Sequence, residues 1–286
     1  MSPGVVTIED MLRPAARALG EAGIEDARAE ARLLLAHVLG LPREALLRDS
    51  RQAIERGAAQ RFEALIARRA RREPIAYLTG FREFWSLGFE VAPATLVPRP
   101  ESETLVEAAL DQLRPRDDAY RVLDLGTGTG CLLLALLSEL PAATGVGVDL
   151  SDQALDIARR NACRLGFADR ATFVRGSWGA GLDERFDLIV TNPPYVAEAE
   201  AGALPPDVAA YEPAGALFGG PDGLESYRAL APDLARLLAP GGLAVVELGA
   251  GAAAAVATIL SGVGLAERER RPDLAGIERC GLWNRR

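Results

Sequence analysis

The chain has 286 residues, of which 32 are basic and 40 acidic, and its formal net charge is −8. This length predicts about two domains, and the acidic balance argues against a protein that mainly coats nucleic-acid phosphates. Every basic residue is an arginine, and His37 is the only histidine. A P-loop lysine, a Schiff-base lysine and a multi-histidine metal centre are therefore excluded, and we expect no metal site.

The cysteines Cys131, Cys163 and Cys280 lie far apart and form no C-x-x-C pair. They predict neither a disulfide framework nor a zinc knuckle, which fits a reducing compartment. The chain shows no signal-peptide pattern at its start and no apolar run of about 18 residues. The alanine-rich run 250–260 is too short for a membrane span and predicts a packed helix. We expect a cytoplasmic protein with no membrane segment.

Residues 1–78 have apolar side chains at helical spacing and almost no β-branched alternation, which predicts a small helical domain. Thr7 and Asp10 have the spacing of a capping box at the start of the first helix. Residues 52–72 predict a longer helix. His37 falls on an apolar face of the pattern, so we interpret it as a core or interface residue and not as a catalytic one.

The charge is unevenly distributed along the chain. The first 80 residues contain 13 arginines and 11 acidic residues, so the excess of negative charge belongs to the remainder. Arginines cluster between Arg61 and Arg72. Such a run favours a solvated helix face, with a docking surface for an acidic partner or RNA as the alternative.

Between Gly80 and Val97, aromatic and aliphatic residues alternate with polar or small ones, and Gly88 lies between the two halves. This pattern predicts a β-hairpin. We predict that residues 79–97 form a hairpin linker, which is followed by a third region over residues 98–286.

Residues 98–286 alternate between strand and helix patterns. The predicted helices are 101–113, 132–139, 151–165 and 223–238, and the predicted strands are 121–125, 144–149, 171–174, 187–191 and 243–248. Such alternation predicts an α/β fold with a doubly wound, mostly parallel, Rossmann-like sheet. Ligands of such sheets bind at the carboxyl ends of the strands.

A glycine-rich loop follows the first predicted strand of this region, as Gly126-Thr127-Gly128-Thr129-Gly130. Glycine allows the backbone to approach a ligand and to adopt a left-handed turn. The alternate spacing differs from the G-x-G-x-x-G of dinucleotide sites. It favours a nucleoside cofactor without a pyrophosphate.

Asp149 ends the next predicted strand. A carboxylate there can accept hydrogen bonds from both ribose hydroxyls. The alternative is that Asp149 only caps the helix that follows.

Asn192-Pro193-Pro194-Tyr195 comes directly after the strand 187–191. Asn192 and Pro193 each precede a proline, which disfavours the α region and extends the backbone. This geometry would direct the Asn192 amide and the Pro193 carbonyl into a cleft as two rigid acceptors for a planar NH₂ group. The alternative is a rigid turn without chemistry.

These three motifs together resemble class I S-adenosylmethionine-dependent methyltransferases that act on planar nitrogens. Three further segments resemble the HemK/PrmC family, the glutamine N5-methyltransferases of peptide chain release factors: RREPIAYLTG at 71–80, REFW at 82–85 and LVPRPESE at 96–103. The similarity spans nearly the whole chain.

The resemblance implies a seven-stranded methyltransferase domain behind a helical substrate-recognition domain. It implies that the methyl group of S-adenosylmethionine passes to the glutamine of a Gly-Gly-Gln loop, leaving S-adenosylhomocysteine. The residues it places at the cofactor are Gly126, Thr127, Gly128, Thr129, Gly130, Asp149, Trp178 and Asn192. Those it places at the substrate are Asn192, Pro193, Pro194 and Tyr195, of which Asn192, Pro193 and Tyr195 would be catalytic.

The 98–100 segment with Glu103 would line the same pocket. We expect a monomer that binds release factors and forms no stable nucleic-acid complex.

Two positions depart from the family pattern. Members commonly have an acid directly before the tryptophan, where this chain has Ser177. A serine hydroxyl accepts a hydrogen bond without the gain from charge. Members also often have a glutamine shortly after Glu247-Leu248-Gly249, where this chain has an alanine run.

Three alternatives stay open. A ribosomal protein glutamine methyltransferase would use the same motifs. A DNA amino-methyltransferase would need a basic recognition region, but residues 196–222 contain no arginine. A non-catalytic adaptor would use the helical domain to bind a partner.

Overall fold

The computed structural model of the protein describes residues 6–285. Its helices are α1 (Ile8–Glu21), α2 (Ala27–Leu39), α3 (Arg43–Arg48), α4 (Arg56–Ala70), α5 (Ile75–Thr79), α6 (Glu103–Gln112), α7 (Cys131–Glu139), α8 (Asp152–Leu165), α9 (Pro206–Tyr211), α10 (Ala214–Leu217), α11 (Glu225–Leu237) and α12 (Ala253–Gly262). Its strands are β1 (Phe81–Phe84), β2 (Leu87–Glu90), β3 (Arg121–Leu125), β4 (Thr144–Asp149), β5 (Ala171–Arg175), β6 (Phe186–Thr191), β7 (Leu238–Glu247), β8 (Leu265–Pro272) and β9 (Glu278–Arg285). Segments Pro100–Ser102 and Glu198–Ala203 form 3₁₀ turns.

The protein divides into two compact units. Within residues 6–285, one unit consists of the part up to Gly80 together with Pro205–Tyr211, and the other of Phe81–Leu204 and the part from Glu212 onward. The boundaries predicted from the sequence did not place Pro205–Tyr211 in the helical unit. Arg69 and Asp207 approach within 3.9 Å inside this unit, and the Tyr211 hydroxyl donates to the Arg71 carbonyl. The predicted limits 1–78, 79–97 and 98–286 stay predictions.

The helical unit packs α1, α2 and α4 around an apolar core that includes Ile8, Leu34 and Phe62. The predicted capping box is confirmed: the Thr7 hydroxyl accepts from the Asp10 amide, and the Asp10 carboxylate accepts from the Thr7 amide. These bonds satisfy amides that a helix start would otherwise leave without partners.

One expectation for this unit is wrong, and a second is wrong in part. The longer helix begins at Arg56 instead of residue 52, because residues 52–54 pair their backbone with the segment before α1. His37 is exposed in the last turn of α2, so it is not a core residue, and its interpretation as an interface residue stays a prediction. Its neighbours Leu34 and Leu35 are buried on the adjoining face.

The predicted hairpin forms from β1 and β2, but its turn is not at Gly88. Trp85 and Ser86 make the turn, with φ values of 52° and 58°. Positive φ at both central positions matches the twist of a two-residue hairpin but is costly without glycine. Contacts from outside the turn hold it: the Glu103 carboxylate accepts from the Trp85 amide at 2.8 Å, and Glu139 accepts from the indole at 3.0 Å.

The second unit contains a seven-stranded sheet in the order β5-β4-β3-β6-β7-β9-β8. The strands from β5 to β7 are parallel, and β9 pairs antiparallel with β7 and β8. The predicted fold class, an α/β doubly wound and mostly parallel sheet, is confirmed. Because the sheet order reverses beside β3, a crevice is expected at the carboxyl ends of the central strands.

Both faces of the sheet are covered by helices, which explains why the central strands are apolar throughout. Leu123, Leu188, Ile189 and Val245 are fully buried. The alanine-rich run forms α12, whose Val256 and Leu260 are also fully buried, as predicted. Within residues 6–285, none of the helices combines the length and the apolar character needed to cross a bilayer.

Candidate functional site

A cleft of about 580 Å³ opens at the carboxyl ends of β3, β4 and β6. Several residues chosen from the sequence lie in its wall: Gly126, Thr127, Gly128, Thr129, Asp149, Trp178, Asn192 and Pro194. Gly130, Pro193 and Tyr195 are not among the lining residues. The structure therefore brings the predicted cofactor residues other than Gly130 into one cavity, together with two of the four predicted substrate residues.

The glycine loop turns sharply between β3 and α7. Gly126 and Gly128 have φ values of 75° and 53°, a region that residues with side chains seldom adopt. The amides of Gly126 and Thr127 both donate to the Val148 carbonyl at 2.9 Å, so the loop is fixed to β4. Gly130 precedes α7, and an added Cβ there would lie 3.4 Å from Ala158. Glycine is needed at position 130 because α8 packs closely against it beside the sheet.

Asp149 stands at the end of β4 and lines the cleft. Its Oδ2 accepts from the Gly128 amide and its Oδ1 from the Ser151 amide, each at 2.9 Å. The helix α8 is capped by Ser151, whose hydroxyl accepts from the Ala154 amide. Asp149 is thus not the residue whose side chain caps α8.

Trp178 lines the cleft next to the glycine loop, with its ring 3.7 Å from where a Cβ on Gly126 would stand. Its φ of 51° is unusual for a large side chain, and such strain clusters at functional sites. The following residue is held by α11, where Asp233 accepts from the Gly179 amide at 2.9 Å. Ser177 is exposed and does not line the cleft.

Asn192 and Pro194 present the Asn-Pro-Pro-Tyr motif to the cleft, and Pro193 is buried between them. The Asn192 Nδ2 donates to Ser102 Oγ at 3.3 Å. Tyr195 packs against Gly249, and its hydroxyl donates to Glu247 Oε1 at 3.3 Å. In this structure the Tyr195 ring thus contacts the end of β7 and does not form the wall of the cleft.

Glu247 and Ser102 are polar residues that the sequence reasoning did not place in the site. Glu247 is 1 % exposed at the end of β7, and Ser102 is 3 % exposed and lines the cleft. The Ser102 hydroxyl donates to Glu247 Oε2 at 2.5 Å. Burial raises the pKa of Glu247 to about 7. A signal was present, since Glu247 is an acid at the carboxyl end of a predicted apolar strand.

Asp124 is a second buried acid that the reasoning missed. It lies within β3, fully buried, and its Oδ2 accepts from the Thr127 hydroxyl at 2.6 Å. Its Oδ1 is buried without a hydrogen-bond partner among the described residues. Burial raises the pKa of Asp124 to about 7. The Thr127 bond anchors the start of the glycine loop to the strand.

The segment after the hairpin also lines the cleft, through Pro98, Arg99 and Ser102. Arg99 donates to the buried Glu212 at 2.6 Å. Glu103, which was expected to line the same pocket, instead accepts from Trp85 in the hairpin turn. That part of the prediction is wrong because Glu103 begins α6 and points its carboxylate toward the hairpin.

The doubly wound sheet, with the glycine loop and an acid at the end of β4, is the architecture of a class I methyltransferase domain. Residues 116–261 match a family described as a methyltransferase domain, and residues 10–80 match the PrmC N-terminal domain. A methyltransferase structure from Pyrococcus furiosus shares the fold at a TM-score of 0.51 and 17% identity, covering 79% of this chain and 97% of that chain.

Two curated relatives identify the family. A release factor glutamine methyltransferase of Rhodospirillum rubrum is 48% identical, over 93% of this chain and 81% of the relative. One from Moorella thermoacetica is 43% identical, over 98% of this chain and 99% of the relative. The chain belongs to the family of release factor glutamine methyltransferases, as its sequence resemblance indicated.

Proposed function

We propose that this protein transfers the methyl group of S-adenosylmethionine to the side-chain amide nitrogen, N5, of the glutamine in the Gly-Gly-Gln loop of a peptide chain release factor. The names of its relatives support this substrate. The observation that carries the proposal is the position of Asn192 and Pro194 in the same cleft as Asp149 and the glycine loop. One cavity can then hold a methyl donor beside an amide.

The residues of the cleft fit S-adenosylmethionine. Each Asp149 oxygen accepts one backbone amide, and a carboxylate offers about four acceptor positions, so both oxygens can also accept from ribose hydroxyls. Trp178 offers a flat surface for the adenine, and the loop 126–130 is the proposed cradle of the methionine part. A volume of about 580 Å³ lies in the range of cofactor sites. When bound, S-adenosylmethionine supplies an electrophilic methyl group on a positively charged sulfur.

The substrate amide nitrogen is a poor nucleophile because its lone pair is delocalised into the carbonyl. In the proposed reaction Asn192 accepts one N–H of the glutamine amide through Oδ1. The Pro193 carbonyl, between two residues of the cleft wall, accepts the other. These acceptors orient the nitrogen and stabilise the positive charge that develops on it. The methylated nitrogen is then acidic enough to release its proton to water, so no strong base of the protein is needed.

Tyr195 completes the proposed substrate site from the side of β7. Its hydroxyl bond to Glu247 and its contact with Gly249 set the position of the loop after Pro194. Pro194 itself forms part of the cleft wall.

The experiment incubates the purified protein with methyl-labelled S-adenosylmethionine and a release factor, and maps the label by peptide mass spectrometry. A release factor whose Gly-Gly-Gln glutamine is replaced by alanine serves as the control. We expect label on that glutamine and none on the control. Label found instead on a ribosomal protein or on DNA, each offered in parallel, would overturn the proposed substrate.

A further inference from the structure

A chain of hydrogen bonds runs from the interior of the sheet to the wall of the cleft. It starts at Glu247, which accepts from Ser102 Oγ at 2.5 Å, and continues to Asn192, whose Nδ2 donates to the same Oγ at 3.3 Å. Glu247 and Ser102 are almost fully buried, and both Ser102 and Asn192 line the cleft. The three residues come from β7, the 3₁₀ turn before α6 and the end of β6.

The chemistry of these groups fixes which atom donates and which accepts in each of these hydrogen bonds. An ionised carboxylate can only accept, so the Ser102 hydroxyl must donate its single proton to Glu247. Toward Asn192 the same hydroxyl can then only accept. The Asn192 side chain must therefore turn its NH₂ group to Ser102, which leaves its Oδ1 on the other branch of the planar amide.

We propose that Glu247 and Ser102 are positioning residues, which orient the Asn192 amide so that Oδ1, and not NH₂, is offered to the substrate in the cleft. The inference rests on the proposed function, because only an acceptor can bind the N–H of a glutamine amide. With the opposite orientation Asn192 would direct N–H groups at the substrate N–H groups. The substrate amide would then be repelled.

The orientation depends on the charge of Glu247. A protonated Glu247 can donate to Ser102, which frees the hydroxyl proton for Asn192 and allows the amide to reverse. Burial raises the pKa of this carboxyl to about 7, so a change in its protonation falls in the pH range of ordinary activity assays. The titratable and charged groups around it are Glu101 before α6, Cys131 of α7, Tyr195 after β6, Tyr227 of α11, and Arg279 and Cys280 of β9.

We call the hydrogen bonds from Glu247 through Ser102 to Asn192 the relay. The first test removes its central hydroxyl by Ser102→Ala. We expect kcat to fall about 10-fold, which corresponds to about 1.4 kcal/mol and is the size of one orienting hydrogen bond. The Kd for S-adenosylmethionine should change by less than about 3-fold, because the change affects orientation and not cofactor contacts. Ser102→Thr restores a hydroxyl and should recover most of the kcat.

The matched control is Ser138→Ala, which removes a hydroxyl that bonds to the Ala135 carbonyl inside α7, away from the cleft. Its kcat should equal that of the unmodified protein. If Ser102→Ala behaves like this control, the positioning role is wrong. If Ser102→Thr folds but fails to recover activity, the role of the hydroxyl is also wrong.

A double-mutant cycle asks whether Ser102 acts through Asn192. We expect Ser102→Ala to have no further effect on kcat once Asn192→Ala is present, because the group to be oriented is gone. Independent losses that multiply in the double variant would overturn the proposal, since they would show that Ser102 stabilises the site by another route.

The Glu247→Gln variant tests the relay without depending on the folding of Ser102→Ala. A glutamine can still accept from Ser102 through its oxygen but does not titrate. We expect kcat of the unmodified protein to decline below about pH 7, and this decline to be absent in Glu247→Gln. An identical pH profile in the two proteins would contradict the relay.

The experiments separate this inference from the proposed function. If the unmodified protein fails to label the Gly-Gly-Gln glutamine, the proposed function fails. If it labels that glutamine and the Ser102 and Glu247 variants match it in kcat and pH profile, the function stands and the relay is wrong.

Discussion

The Asp149 side of the cleft and its Asn192 side are held in place by different kinds of contact. Asp149 is fixed by backbone amides of Gly128 and Ser151, which lie 21 and 2 residues away in sequence. Asn192 is held by Ser102, 90 residues away, and Ser102 by Glu247, 145 residues away. One side is built by two neighbouring loops of a parallel sheet, and the other by buried side chains from distant segments.

This difference suggests that the two sides of the cleft have separate roles, one in cofactor binding and the other in turnover. Backbone amides hold Asp149 whatever the side chains of the loop, so the cofactor side depends on loop conformation. The substrate side depends on the identity of each side chain in a buried chain of hydrogen bonds, where an unpaired group is costly. Substitutions on the first side should therefore change affinity, and those on the second should change turnover.

The largest expected effect is on the substrate side. Asn192→Ala removes the proposed acceptor for the amide, and we expect kcat to fall about 10²-fold or more, as when one preorganised electrostatic partner is lost. Single-turnover labelling of the release factor measures it. Asn284→Ala is the control, because Asn284 bonds to the Gly242 carbonyl within the sheet and does not line the cleft. Turnover within a few-fold of the unmodified protein would remove Asn192 from the mechanism.

On the cofactor side, Asp149→Ala should weaken binding of S-adenosylmethionine about 30-fold or more, because even one hydrogen bond to a charged group contributes about 1.5–3 kcal/mol. Isothermal titration calorimetry measures the Kd. The control is Asp152→Ala, three residues on, which breaks an exposed 3.0 Å pair with Arg175 and should leave the Kd unchanged. Equal Kd values in the two variants would separate Asp149 from the cofactor.

A third prediction concerns stability and the buried Asp124. Its raised pKa means that the folded state keeps a proton between about pH 4 and pH 7 that the unfolded state has lost, so the free energy of unfolding falls as pH rises through this window. The contribution is at most about 1.4 kcal/mol per pH unit. Asp124→Asn removes it.

Urea unfolding of both proteins at several pH values tests the Asp124 prediction. We expect the stability of Asp124→Asn relative to the unmodified protein to increase from about pH 4 to about pH 7. Glu247 titrates in the same window in both proteins, so it cancels in the difference. A difference that stays constant with pH would show that Asp124 is ionised when folded.

The smallest expected effect is at Ser177, where the family resemblance implies an acid. Because Ser177 is exposed and does not line the cleft, an acid there acts on the positively charged S-adenosylmethionine only through screened charge, so Ser177→Asp should tighten its binding by no more than about 3-fold. The Kd at low and high salt measures it, with Ser177→Asn as the uncharged control. A gain of equal size in both variants would rule out the charge as its cause.

Several elements could be predicted because their determinants are local. The boundaries of β3 and β4, the capping box at Thr7 and the helix in the alanine-rich run follow from residues within each segment. The hairpin was predicted, but its turn was not, because Glu103 and Glu139 stabilise an unusual Trp85-Ser86 conformation from outside. The helix pattern at 52–54 was likewise overridden by backbone pairing with the chain before α1.

The amino-acid sequence by itself determined the fold class, the family and the motifs at the cleft, because glycines, prolines and apolar periodicity act through neighbours along the chain. Only the tertiary structure decided that Ser102 and Glu247 stand behind Asn192, that Glu103 supports a hairpin, and that Asp124 and Glu247 have raised pKa values. The physical reason is that burial and hydrogen-bond direction are properties of groups brought together by folding. They have no signature in the spacing of residues along the chain.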